Sequence, residues 1–134
     1  MNPLAWLIGL VLPACGSPGA EGLPMPPLMD VAHIERPSSP NTALAAPQGF
    51  TPPPGPAGST PPVDIITPPY QVPADRLFLL VQQVAGSQPR TYQAALYPAE
   101  LQAHYVARSA AFNFPDLIMA QVRQDGPDKS DLIL

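Results

Sequence analysis

The polar side chains best suited to chemistry lie close together in the last third of the sequence. Arg108 and Asp116 flank a segment that contains two phenylalanines, and His104 precedes Arg108 by four residues. If residues 109–115 form a loop between paired strands, Arg108 and Asp116 lie near each other at one end of a sheet. A guanidinium suits a carboxylate or a phosphate. The pattern predicts either an ion pair that closes the loop or an anion-binding site at Arg108 and Asp116, which His104 could also line.

Other catalytic arrangements are not indicated. Ser109, His104 and Asp116 have the residue types of a hydrolase triad, but Ser109 and His104 are five residues apart. Two side chains at that spacing point to opposite faces of one strand. Neither His33 nor His104 has a cysteine or second carboxylate nearby at metal-ligand spacing. We predict no catalytic residue, no metal site and no cofactor, which leaves enzymatic activity open but favours its absence.

The single cysteine, Cys15, has a different kind of chemistry. Residues 4–12 form an apolar run whose helix would rise about 13.5 Å, less than half of the roughly 30 Å hydrocarbon core of a membrane. The box Leu12-Pro13-Ala14-Cys15 resembles the processing site of bacterial lipoproteins. We expect a lipoprotein-type signal peptide at 1–14 and a lipid on Cys15, which places the chain on the periplasmic side of the cell envelope. An ordinary secretory signal and an uncleaved anchor are the alternatives.

Proline divides the sequence into two halves. Eighteen of the 22 prolines lie within residues 1–73, and proline removes a backbone donor and fixes φ. We expect a tether at 15–35 and an extended arm at 36–72, which carries a proline-rich insert at 51–62. The rest of the arm is expected to lie on the domain, with a short edge strand near Val63–Thr67.

Residues 73–134 predict an α+β domain. Leu77, Leu80, Val81 and Val84 recur with helical spacing, so a helix is expected at 74–85, ended by Gly86. Alternating apolar and polar residues then predict an antiparallel β-meander on which the helix packs. Its strands are expected at 90–97, 100–109, around 118–122 and 132–134.

The same alternation predicts which side chains face the core. In the first strand Tyr92, Ala94 and Leu96 are expected on one face. In the second strand Leu101, Ala103, Tyr105 and Ala107 are expected to face the core. Gln102, His104 and Arg108 are expected on the other face, where Val106 is the apolar exception. A histidine in that position is most often solvated. The sequence stops inside the last apolar strand, which favours a truncated chain or a strand clamped by something absent.

Charge excludes two classes of partner. The net charge is −4, with no basic patch of the kind that nucleic-acid binding requires. A polybasic stretch for an anionic membrane surface is also missing. The membrane is therefore expected as a partner through the lipid on Cys15 alone, and a protein partner stays unknown.

Several segments together resemble a known family. They are Arg36-Pro37-Ser38-Ser39-Pro40-Asn41, Asp64-Ile65-Ile66-Thr67-Pro68, Gln88-Pro89-Arg90, Tyr105-Val106-Ala107-Arg108-Ser109 and Phe112-Asn113-Phe114-Pro115-Asp116. The pattern is similar to the uncharacterised bacterial and plastid proteins grouped as domain of unknown function fourteen ninety-nine. Members often follow a signal or lipoprotein segment, and the family has no established reaction. Its pattern continues past the position of Leu134, so the resemblance implies that the C-terminal part is lacking.

Two functions are consistent with these features. The first is a membrane-tethered envelope protein whose small α+β domain serves a non-catalytic binding or structural role. The second is an enzyme or anion-binding module with its site around Arg108 and Asp116.

Overall fold

Four antiparallel strands, each paired with the next along the chain, form the main sheet. The computed structural model describes residues 27–36, 41–55, 58–59 and 61–134. The elements in chain order are β1 (Ala45–Pro47), β2 (Ile65–Thr67), α1 (Ala74–Ser87), β3 (Thr91–Tyr97), β4 (Gln102–Arg108), β5 (Pro115–Gln124) and β6 (Ser130–Ile133). Short 3-10 helices lie at Val31–His33 and Pro98–Glu100. The α+β arrangement predicted from the sequence is confirmed.

Helix α1 covers one face of this sheet. Pro73 precedes it with a fixed φ of −60°, and Asp75 places a negative charge in its first turn. Its buried residues pack on alternate residues of the strands, and the resulting core contains Ala74, Leu77, Phe78, Ala103, Tyr105, Ala120, Val122 and Leu132. The predicted helix is present, but Gly86 lies inside it, and Val84 is 59% exposed rather than part of the packed face.

The extended arm covers the opposite face of the sheet. Val31 and Ala32 of the first 3-10 helix and Ala46 of β1 are buried against Ile133 of β6. Half-buried side chains pack around them: Ile34, Leu44, Phe50, Val63 and Met119. The packed arm therefore begins before residue 36, inside the segment expected to be tether. The predicted signal peptide and Cys15 lie outside the described residues.

Asp30 fixes the first turn of the arm on the sheet. One of its carboxylate oxygens accepts a hydrogen bond from the Ala32 N–H, and the other lies 2.7 Å from His33 Nδ1. The hydrogen bond from His33 lowers the pKa of the Asp30 carboxyl. The Ala32 N–H also points at Oε1 of Gln121 on β5, 3.3 Å away.

Arg36 joins three separate parts of the arm. Its Nε donates to the Thr42 hydroxyl at 3.1 Å, and its Nη1 donates to the Pro62 carbonyl and forms an ion pair with Asp64 at 3.0 Å. Asp64 in turn accepts from the Leu44 N–H at 2.7 Å. Because prolines supply no N–H groups, side-chain bonds of this kind replace part of the ladder that a regular strand would form.

The arm also closes the edge of β6. Strands β1 and β2 pair in parallel, and the backbone of Ala45 exchanges two hydrogen bonds with Leu134, of 3.0 and 2.9 Å. Tyr70 exchanges two more with Ser130, at the other end of β6. The strand expected near 63–67 is therefore present as β2. The last apolar strand is clamped by the arm of the same chain.

A β-bulge changes the facing of β3. The register shifts between Gln93 and Ala95, so Tyr92 pairs with Val106 while Leu96 pairs with Ala103. Neighbouring residues of β4 alternate faces. The expectation that Tyr92, Ala94 and Leu96 share one face is therefore wrong.

No helix among the described residues combines the length and the apolar character that crossing a bilayer requires.

Tyr105 provides a test of the helix-covered core. Its hydroxyl is buried without a hydrogen-bond partner, and burial raises the pKa of the phenol above its usual value of 10.0. We predict that Tyr105→Phe leaves stability at neutral pH unchanged or raises it by about 1 kcal/mol, because the variant no longer buries an unsatisfied group. Urea denaturation measures this change.

The pH dependence follows from the sign of the shift. The unfolded chain ionises this phenol near pH 10 and the folded chain only at higher pH, so the wild-type protein loses stability as pH rises through that range. Tyr105→Phe should lack this part of the alkaline loss. Tyr92→Phe, at an exposed position, is the matched control. Equal alkaline profiles for the Tyr105→Phe variant and the wild type would contradict the burial.

Candidate functional site

The hairpin end between β4 and β5 contains two of the side chains singled out in the sequence. Arg108 is the last residue of β4, and Asp116 is the second residue of β5. In the register Ala107 pairs with Asp116, whereas Arg108 pairs with Pro115. The two side chains thus lie at the same end of the sheet but leave opposite faces, since paired residues share a face. Asp116 is exposed there.

Arg108 faces the loop rather than the solvent. The residue is 4% exposed, and its Nη1 donates to the Asn113 carbonyl at 3.1 Å. Its backbone is joined to Arg90, whose carbonyl accepts from the Arg108 N–H and whose Nε donates to the Arg108 carbonyl. The guanidinium predicted to bind an anion instead holds the loop from beneath.

The loop is further closed by its own backbone. Ser109 bonds twice to Phe114: its N–H donates to the Phe114 carbonyl at 2.9 Å, and its hydroxyl accepts from the Phe114 N–H at 3.0 Å. The Asn113 N–H donates to the Ser109 carbonyl. Asn113 has a left-handed backbone with φ of 56°, which asparagine tolerates better than most residues. These bonds give the loop one defined shape.

Two aromatic rings project from this loop. Phe112 is 71% exposed and Phe114 is 57% exposed. Their rings stack with centroids 5.6 Å apart and an interplanar angle of 28°. We call Phe112 and Phe114 the aromatic tip. Large apolar residues rarely stay this exposed in pairs without a contact to make, so the aromatic tip is the part of this end best suited to binding.

His104 lies away from the loop, on the sheet face opposite helix α1. It shares a sheet face with Arg108, as expected, but it is fully buried instead of solvated. Its Nε2 lies 2.8 Å from Nε2 of Gln102, and the Tyr97 ring meets it edge-on at 5.3 Å. Its cross-strand neighbour is Met119, which packs against the arm. The expectation that this histidine is solvated is therefore wrong, because the Tyr97 ring lies against it and the neighbouring Met119 packs against the arm.

A concave region lies between the arm and the ends of β5 and β6. Its volume is about 520 Å³, and its lining includes Phe50, Arg123, Asp125 and Asp131. The Arg123 guanidinium lies 5.6 Å from the centre of the Phe50 ring and 3.6 Å from the Asp131 carboxylate. Two carboxylates and one guanidinium give the groove a net negative charge, which does not favour an anion. No motif in the sequence indicated this groove, because its residues are brought together only by the course of the arm.

The described residues contain no group of three histidine, cysteine, aspartate or glutamate side chains that could hold a metal ion. Comparisons with protein-family models, curated proteins and solved structures gave no match for this chain. The resemblance to domain of unknown function fourteen ninety-nine remains a prediction.

The role of Arg108 can be tested by replacement with a side chain of similar length and no charge. We predict that Arg108→Met lowers stability by about 1–3 kcal/mol, because the Asn113 carbonyl loses a charged donor. The amide of Phe114 should also exchange faster, since the loop loses its support from beneath. Urea denaturation and hydrogen exchange measure the two effects.

Arg76→Met is the matched control, because Arg76 is exposed on α1. If Arg108→Met and Arg76→Met have the same stability and the same Phe114 exchange rate, Arg108 does not hold the loop.

Proposed function

We propose that this protein is a non-catalytic binding module held at the membrane of the bacterial cell envelope, on the periplasmic side, by a lipid on Cys15. The observation that carries the binding role is the aromatic tip. Two stacked, exposed phenylalanine rings stand on a loop that is fixed by hydrogen bonds from Arg108 and Ser109. A rigid apolar projection loses little conformational freedom when it binds, which favours a contact surface.

The proposed tether is supported by the sequence that precedes the described residues. Leu12-Pro13-Ala14-Cys15 has the order of a lipoprotein processing box and follows the apolar run at 4–12. Residues 16–30 separate Cys15 from the first buried residue of the arm, Val31. Fifteen residues span at most about 50 Å. A lipid on Cys15 would therefore keep the domain close to the bilayer surface.

The alternative function is an enzyme or anion-binding module at Arg108 and Asp116. The geometry favours it less, because the Arg108 guanidinium is buried and donates to the Asn113 carbonyl. The side chain of Asp116 leaves the other face of the sheet. An anion such as phosphate that raises the melting temperature of the wild type but not of Arg108→Met would favour this alternative.

Processing at Cys15 tests the proposed location. We predict that Cys15→Ser, or treatment with globomycin, stops removal of residues 1–14 in a bacterial host, since lipoprotein processing requires the modified cysteine. The mature chain should fractionate with membranes and label with a radioactive fatty acid. Immunoblotting and mass spectrometry distinguish the two forms.

Ser17→Ala, two residues away, is the control and should be processed normally. Unchanged processing, labelling and fractionation in Cys15→Ser would contradict lipid anchoring.

A further inference from the structure

We infer that the aromatic tip docks into the interfacial layer of a neutral lipid bilayer, so that the domain touches the membrane at the hairpin end as well as through its tether. The inference rests on the proposed function for the closeness of the membrane. The contact itself follows from the exposed rings, the backbone bonds and the charges of the loop.

The exposed rings supply the attraction. Phe112 and Phe114 expose most of their residue surface, and their stacking holds both rings in one orientation. Aromatic side chains that enter the boundary between headgroups and acyl chains remove apolar surface from water. Because the rings are already ordered, little rotamer freedom is lost on insertion.

Several backbone groups of the loop already have hydrogen-bond partners, as a region poor in water requires. An unbonded N–H or C=O is costly to move into lipid. Here the N–H groups of Asn113 and Phe114 and the carbonyls of the same two residues all have partners within the hairpin end. The backbone groups of Asn113 and Phe114 therefore need not lose water without compensation.

The charge distribution selects the kind of surface. Residues 109–115 contain no charged side chain. Asp116 is exposed directly after them, so the loop can enter only to a shallow depth before a carboxylate meets the headgroups. The chain carries a net charge of −4. A zwitterionic bilayer is thus favoured over an anionic one.

The size of the aromatic tip argues against a protein partner. A stable protein interface buries about 800 Å² on each partner and includes a ring of polar contacts. Two phenylalanine side chains bury at most about 300–500 Å². The backbone N–H and C=O of Phe114 are already paired with Ser109. An interfacial lipid contact needs neither a large area nor directed hydrogen bonds.

Fluorescence from a tryptophan placed in the aromatic tip tests this contact directly. The full chain is coupled through Cys15, its single cysteine, to a maleimide lipid in phosphatidylcholine vesicles whose acyl chains are brominated. Trp6→Phe removes the native tryptophan, and Phe112→Trp then supplies the reporter. Bromine quenches only a tryptophan that enters the bilayer. We predict a blue shift and loss of emission relative to vesicles without bromine.

The control is Leu79→Trp in the same background, because Leu79 is exposed on α1, and its emission should be the same in both kinds of vesicle. Adding Phe114→Ser to the Phe112→Trp chain should reduce the quenching. Urea denaturation confirms that each variant is folded.

Emission of the Phe112→Trp chain that is equal with and without bromine would overturn the inference. Quenching equal to that of Leu79→Trp would overturn it as well. Chemical coupling at Cys15 replaces lipidation in the cell. The result therefore does not depend on whether Cys15 is processed, and either proposal can fail without the other.

Discussion

Both faces of the main sheet are buried at its centre, while the described residues contain a single α-helix. Every residue of β4 from Gln102 to Val106 is buried. Helix α1 covers one face, so the other must be covered by chain that forms little regular structure. The proline-rich arm does this through Val31, Ala32 and Ala46, and it also pairs with the edge of β6. The closed edge of the last strand follows from that packing, and His104 lies buried on the same sheet face.

Local patterns predicted the elements well, because their periods depend only on neighbouring residues. The helix and all four strands of the main sheet lie within a few residues of their expected positions. The errors arise where contacts with distant chain segments determine whether a residue is buried or how a strand pairs. The sequence alone treats Gln102 and His104 as solvated, since it does not show that the arm packs on the same face of the sheet. The three residues of β1 end in a proline, and their parallel pairing with β2 depends on the path of the seventeen residues between the two strands.

The loop predicted to carry an anion-binding site has a different surface feature in the structure. The sequence pointed to the loop between Arg108 and Asp116, and the exposed surface feature lies there. The role of Arg108 depends on the left-handed backbone of Asn113, which turns its carbonyl toward the guanidinium. No residue pattern predicts that contact. A charged residue near a loop can therefore support the residues beside it, here the aromatic tip, rather than contact a ligand.

The central claim is that the arm belongs to the folded domain. Native-state hydrogen exchange at Ala45 and Tyr70 tests it most directly. The Ala45 amide of the arm donates to the Leu134 carbonyl at 3.0 Å, and the Tyr70 amide donates to the Ser130 carbonyl at 3.1 Å. The reference is the amide of Val122 in β5, which donates to the Leu101 carbonyl. If the arm is integral, all three amides exchange with the same opening free energy, that of global unfolding. Exchange at Ala45 and Tyr70 near the rate of an unprotected peptide, with Val122 still protected, would contradict the claim.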